Sequence, residues 1–100
     1  MIKHVVFWRF KESADGTSKE VNLQKAKSLF DGLRGKIKEI DVFEVGINFD
    51  GSADASDLVL YTEFPTMDDL RSYQKHPEHI KVVDFIGKVK SEKRVVDYEV

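Results

Sequence analysis

Residues 73–79, Tyr-Gln-Lys-His-Pro-Glu-His, carry the side chains of this chain that are best suited to acid–base chemistry. They include two of the three histidines and one of the three tyrosines. A histidine gives and takes protons near neutrality, because its ordinary pKa is about 6.5. A tyrosine hydroxyl can donate a hydrogen bond to a carbonyl or enolate oxygen. This segment is therefore the first candidate for proton-transfer chemistry.

The proline inside this segment predicts that it joins two helices. Thr66 and Asp69 form a capping box that opens a short helix through Tyr73. His76 precedes Pro77 and should end that helix, because the residue before a proline disfavours helical geometry. Pro77 fits the first turn of a second helix, on which one side carries His79, Val82, Val83 and Ile86. We therefore expect His79 to face inward and His76 to serve as a cap rather than a catalyst.

The remaining elements follow from hydrophobic periodicity. Four segments are rich in β-branched and aromatic residues, or alternate with the period of a strand: residues 2–10, 40–49, 58–64 and 93–99. Thr17 and Glu20 resemble a capping box that opens a helix over residues 18–34, and Gly35 is its expected end. The order predicts one α+β domain over residues 1–100: a ferredoxin-like βαββαβ plan, with helices on one face of a four-stranded antiparallel sheet.

A sheet covered by helices on one face leaves the other face open. In the first strand, Val5 and Phe7 alternate with Val6, Trp8 and Phe10, so both faces carry large apolar groups. Exposed apolar patches of this kind mark interfaces. We therefore predict a homodimer with the sheets packed face to face.

Charge and composition argue against nucleic-acid and membrane partners. The formal net charge is −2, with no block of like charges. An RNA-recognition domain shares the element order, but its third strand needs a basic-glycine-aromatic run that residues 58–64 lack. The opening apolar run is too short and too interrupted by charge for a signal peptide or spanning helix, and cysteine is absent. These features predict a cytoplasmic protein.

Four motifs in order resemble one known family. They are Lys3-His4-Val5-Val6 leading to Phe10-Lys11, Phe64 before the capped segment 66–70, Tyr73-x-x-His76-Pro77-x-His79, and Val96-Asp97-Tyr98. Together they span nearly the whole chain and resemble the stress-responsive dimeric α+β-barrel (Dabb) domain family. That family includes the plant cyclase that makes olivetolic acid and plant heat- and boiling-stable stress proteins. The resemblance implies a dimeric α+β barrel.

The resemblance also implies roles for four residues. His79 and Tyr73 match the catalytic residues of the cyclase, and His4 matches a residue that lines the same pocket between sheet and helices. Asp97 matches an aspartate that orients the histidine, so we expect it to accept a hydrogen bond from His79. In this reading, His79 removes a proton beside a ketone of a small polyketide-like or β-dicarbonyl compound, and Tyr73 stabilises the enolate without any cofactor.

Other readings of these residues stay open. His79 and Tyr73 can simply pack in the core, and a buried His4 then needs a polar partner. The protein would then be a non-catalytic stress or ligand-binding protein, and a monooxygenase of the related barrel branch is a third possibility. A metal site is not expected, because His76 and His79 lack the i, i+4 spacing of a helical zinc site.

Overall fold

Strand β1 (Ile2–Phe10) lies inside the main sheet of the computed structural model, which describes residues 1–100. It pairs on one side with β5 (Leu58–Phe64) and on the other with β6 (Lys90–Glu99), while β4 (Val42–Ile47) pairs with the far edge of β5. The strand order is β4-β5-β1-β6, and every pairing is antiparallel. The predicted α+β, ferredoxin-like arrangement is confirmed.

Three helices cover one face of this sheet: α1 (Lys19–Asp31), α2 (Met67–Lys75) and α3 (Pro77–Val89). Alternation along the strands decides which side chains meet them. The buried members of β1 and β5 are Ile2, His4, Val6, Trp8, Phe10, Leu58, Leu60, Thr62 and Phe64. The apolar members of this set join apolar residues of the helices in one hydrophobic core. The alternation in the sequence separates the two faces of β1, and the structure shows that the set with Val6, Trp8 and Phe10 meets the helices.

The start of α1 differs from the sequence prediction. A short hairpin of β2 (Ser13–Ala14) and β3 (Thr17–Ser18) precedes the helix, and Thr17 pairs with Ala14. Thr17 is therefore extended backbone rather than a cap, and Ser18 accepts the hydrogen bond from the Val21 N–H. The predicted capping box of Thr17 and Glu20 is therefore wrong: the cap lies one residue later, and Val21 at its third position cannot complete a box.

The C-terminal end of α1 and the bounds of two strands also differ from the prediction. Helix α1 stops at Asp31 rather than residue 34, because the next N–H groups bond three residues back, as Leu33 does to Phe30. Strand β4 covers residues 42–47 rather than 40–49, because its pairing partner β5 is only seven residues long. Strand β6 begins at residue 90 rather than 93, because it pairs along the whole length of β1.

The face of the sheet away from the helices is uncovered and carries a group of large apolar side chains. We call this surface the outer face; its members include Val5, Phe7, Val42, Val59, Tyr61, Val96 and Tyr98. The side chain of Phe7 is 37% exposed and that of Val96 is 51% exposed.

None of the three helices has the length and apolar character that crossing a membrane requires.

Candidate functional site

The junction of α2 and α3 is built as the sequence predicts. The Thr66 hydroxyl caps α2 by accepting a hydrogen bond from the Asp69 N–H at 3.2 Å. His76 has extended backbone, and its Nδ1 accepts the N–H of Glu78 at 3.1 Å, so His76 is the N-cap of α3. Pro77 occupies the first turn of α3. The predicted structural role of His76 is confirmed.

A partly enclosed cavity of about 180 Å³ lies between this region and the sheet. Its apolar wall consists of Val6, Trp8, Phe30, Leu60, Val83, Ile86 and Val95. Its polar lining includes His4 from β1, Gln74 from α2, His79 from α3, and Lys90 and Lys93 from β6. The lining contains no carboxylate. The chain therefore holds two histidines at one apolar cavity.

His79 presents a free nitrogen lone pair. Its Nδ1 lies 3.2 Å from the carbonyl oxygen of Gln74, which can only accept, so Nδ1 carries the proton of this hydrogen bond. In the neutral ring, Nε2 then has no proton and can act as a base. Burial lowers the pKa of His79 from its ordinary value, with smaller contributions from His4, Lys93 and His76, against the opposing effect of the Gln74 carbonyl. His79 is thus uncharged at neutral pH.

Asp97 orients His4 rather than His79. The two residues stand directly opposite each other in the β1–β6 pairing, and the His4 Nδ1 hydrogen bonds to the Asp97 carboxylate. His4 is buried, while the side chain of Asp97 is 41% exposed. The expected bond between Asp97 and His79 is therefore wrong, because the strand register makes His4 the neighbour of Asp97. The expectation that a buried His4 requires a polar partner is confirmed.

Tyr73 lies in the core behind His79. Its ring centroid is 4.3 Å from that of His79, 5.2 Å from that of Phe64 and 6.4 Å from that of His4. The side chain is fully buried, its hydroxyl has no hydrogen-bond partner, and it does not line the cavity. Burial raises the pKa of Tyr73 and keeps the hydroxyl protonated. The structure therefore brings Tyr73 to His79 but not, as we expected, into a common pocket.

Four residues of the cavity were missed by sequence reasoning: Gln74, Gly87, Lys90 and Lys93. For two of them, the sequence contains a pattern that could have indicated their place. Lys93 alternates with Val95 and Asp97 on β6, so all three point to the helix side of the sheet. Gly87 interrupts a helix, where glycine is unfavourable. No group of three or more histidine, aspartate or glutamate side chains is arranged to hold a metal ion.

Comparison with known proteins identifies the family. Residues 2–100 match the model of the stress responsive A/B barrel domain. The chain belongs to the stress-responsive A/B barrel family. This match confirms the family expected from the sequence motifs. A comparison with curated proteins finds no match.

Several solved structures share the fold over almost the full chain. A dimeric ferredoxin-like protein of unknown function from Bacteroides fragilis is 30% identical, with a TM-score of 0.84 and coverage of 99% of this chain and 95% of that one. A hydroxynitrile lyase from Passiflora edulis is 16% identical (TM-score 0.79, coverage 99% and 92%). A putative antibiotic biosynthesis monooxygenase from Nitrosomonas europaea is 19% identical (TM-score 0.76, coverage 100% and 98%). The last two likenesses show the fold alone.

Proposed function

We propose that this A/B barrel protein is a cofactor-free acid–base enzyme, a cyclase or a lyase, that acts on a small carbonyl compound. The observation that carries the proposal is the uncharged His79 at the wall of an apolar cavity that also contains His4. A base with a lowered pKa in a dry, shaped cavity is a common arrangement for proton abstraction.

The proposed reaction begins when His79 Nε2 takes a proton from the carbon beside the carbonyl group. The electron pair of the broken C–H bond moves to the carbonyl oxygen and gives an enolate. The proposed donor to that oxygen is the Nε2–H of a His4 imidazolium whose Nδ1–H bonds to the Asp97 carboxylate. In a cyclase the enolate carbon then attacks a second carbonyl, whose oxygen takes the proton from His79. In a lyase the enolate instead expels a leaving group from the β carbon, and that group takes the proton from His79.

Tyr73 has a positioning role in this proposal. Its ring packs at 4.3 Å from the His79 ring and limits how that imidazole can turn. The Gln74 carbonyl fixes the tautomer from the other side. Because a base must lie within hydrogen-bond reach of its proton, these two contacts keep His79 ready for the reaction. The enolate donor is then His4 rather than the Tyr73 hydroxyl.

The experiment follows proton abstraction directly. Incubation with acetophenone or benzoylacetone in D₂O should replace the protons beside the carbonyl with deuterium, as measured by NMR, faster than buffer alone. The His79→Gln variant should lose this acceleration by about 100-fold or more, because a positioned base contributes about 10²–10⁴. His76→Asn is the matched control: asparagine also caps helices, so exchange should stay within about threefold of wild type.

A non-catalytic binding protein is the second candidate. The burial of the Tyr73 hydroxyl away from the cavity favours it, because the expected oxyanion donor is then missing. It predicts equal exchange by wild type and His79→Gln. Equal rates would overturn the acid–base proposal. The monooxygenase alternative is tested in the same samples by oxygen consumption with an aromatic polyketide.

We also propose that two copies of the chain pair through the outer face. That face carries exposed apolar side chains, and the similar protein from Bacteroides fragilis is dimeric. A charge in a desolvated interface is costly, so Phe7→Lys should convert the dimer to a monomer. Sedimentation at micromolar concentration measures this, with Ile80→Lys on exposed α3 as the control. A monomeric wild type would overturn the dimer.

A further inference from the structure

Two lysines of β6 give the cavity an uncompensated positive charge. Lys90 and Lys93 line it, and neither side chain takes part in an ion pair or hydrogen bond. Other cations on these strands differ in this respect, since Arg9 and Arg94 both contact Glu92. The nearest carboxylate on the helix side of β6 is Asp97, which His4 already engages. The cavity thus combines an apolar wall with two free ammonium groups.

The position of Lys93 follows from the strand register. It stands opposite Trp8, as Val95 stands opposite Val6, so its side chain leaves the sheet on the helix side. This is the side away from the outer face. A dimer formed through the outer face would therefore leave Lys93 able to reach a ligand. Lys93 also contributes to lowering the pKa of His79, which places its positive charge in the electrostatic environment of that ring.

Gly87 of α3 also lines the cavity. A Cβ placed at Gly87 would meet no atom within 4 Å, so packing does not require glycine there. Glycine in a helix interior is less stable than alanine by about 0.5–1 kcal/mol. The missing side chain instead leaves open space at the lining of the cavity.

We propose that the ligand of this cavity is a single-ring or short-chain compound with an anionic group, whose apolar body contacts Trp8 and whose anion binds Lys90 and Lys93. The volume of about 180 Å³ fits one ring, since a cavity of about 150 Å³ holds benzene. The inference that such a compound is the substrate rests on the proposed function, and it narrows the proposed substrates to keto acids. The inference that the cavity prefers an anionic ligand does not depend on the proposed function.

The test compares benzoate with benzamide, which has the same shape and no charge. Trp8 is the only tryptophan and lines the cavity, so its fluorescence reports binding. Benzoate should bind about tenfold more tightly, as expected for a partly desolvated charge-assisted hydrogen bond, and the preference should shrink with added salt. The Lys90→Met/Lys93→Met variant should bind both probes equally. Lys88→Met, outside the lining, should keep the preference.

Several results would overturn this inference: equal binding of both probes by wild type, a preserved preference in the double variant, or no binding of either probe. Circular dichroism confirms that the double variant is folded. Wild-type binding and wild-type exchange together separate this inference from the proposed function. A wild type that prefers benzoate but exchanges no protons would refute only the proposed function, and one that exchanges protons without the preference would refute only this inference.

Discussion

Replacing Tyr73 with phenylalanine should stabilise the protein. The Tyr73 hydroxyl is buried and has no hydrogen-bond partner, and leaving such a group unpaired costs about 1–3 kcal/mol. The ring contacts with Phe64 and His79 do not involve the hydroxyl and remain in the variant. We expect the free energy of unfolding to rise by about 1 kcal/mol. For a domain of this size the melting temperature should then rise by about 4–8 °C.

Thr62→Val is the matched control for this prediction. Both side chains are fully buried, but the Thr62 hydroxyl donates to the His4 carbonyl at 2.8 Å. Its removal should lower the free energy of unfolding by about 1 kcal/mol, because a satisfied bond is lost. The two hydroxyl deletions should therefore have opposite signs.

Urea denaturation followed by Trp8 fluorescence measures both variants. Protein concentration must be equal in all samples, since dimerisation adds to apparent stability, and the slope with urea should not change. A loss of stability in Tyr73→Phe like that of Thr62→Val would refute the reasoning, since the hydroxyl would then have a partner. A 100-fold fall in proton exchange by this variant would instead identify the hydroxyl as a catalytic donor.

Three further predictions concern His79, Asp97 and Thr66. Because the pKa of His79 is lowered on folding, protonation of His79 opposes the folded state. The free energy of unfolding should therefore fall as the pH drops through the unfolded pKa of about 6.5 toward the folded pKa. Urea titrations of His79→Gln at the same pH values should show less of this loss. Asp97→Asn should slow proton exchange by about tenfold or more, because His4 loses the carboxylate that orients it, and binding of benzamide should be unchanged. Thr66→Ala should cost about 1 kcal/mol of stability by removing the cap of α2, as measured by thermal unfolding, whereas Thr66→Ser should cost little.

Local chemistry made most of the fold predictable. The strand at residues 58–64 and the break at Pro77 follow from alternation and from the steric effect of proline, both of which act between neighbours in sequence. The hairpin before α1 was missed because two-residue strands have no periodicity to detect. Element ends shifted where they depend on a partner, as β4 does on β5.

The candidate site was harder to predict because its contacts are not local. His4 and Asp97 are 93 positions apart and meet only through the β1–β6 register, and a slip of one residue would turn Asp97 to the other face. Sequence spacing placed Tyr73 and His79 side by side. It could not show that the Tyr73 hydroxyl lies in the core, since that depends on how α2 and α3 pack on β1.

Thermal stability and ligand binding favour different residues at position 87. Alanine at this position would strengthen α3 by about 0.5–1 kcal/mol, but its methyl group would occupy space that the cavity now leaves open. Libraries randomised at this codon and selected only for heat resistance should therefore enrich alanine, as is common where a site sacrifices stability. Libraries selected for binding a ring-shaped anion should keep glycine, and the difference between the two outcomes would measure how strongly the ligand fills the cavity.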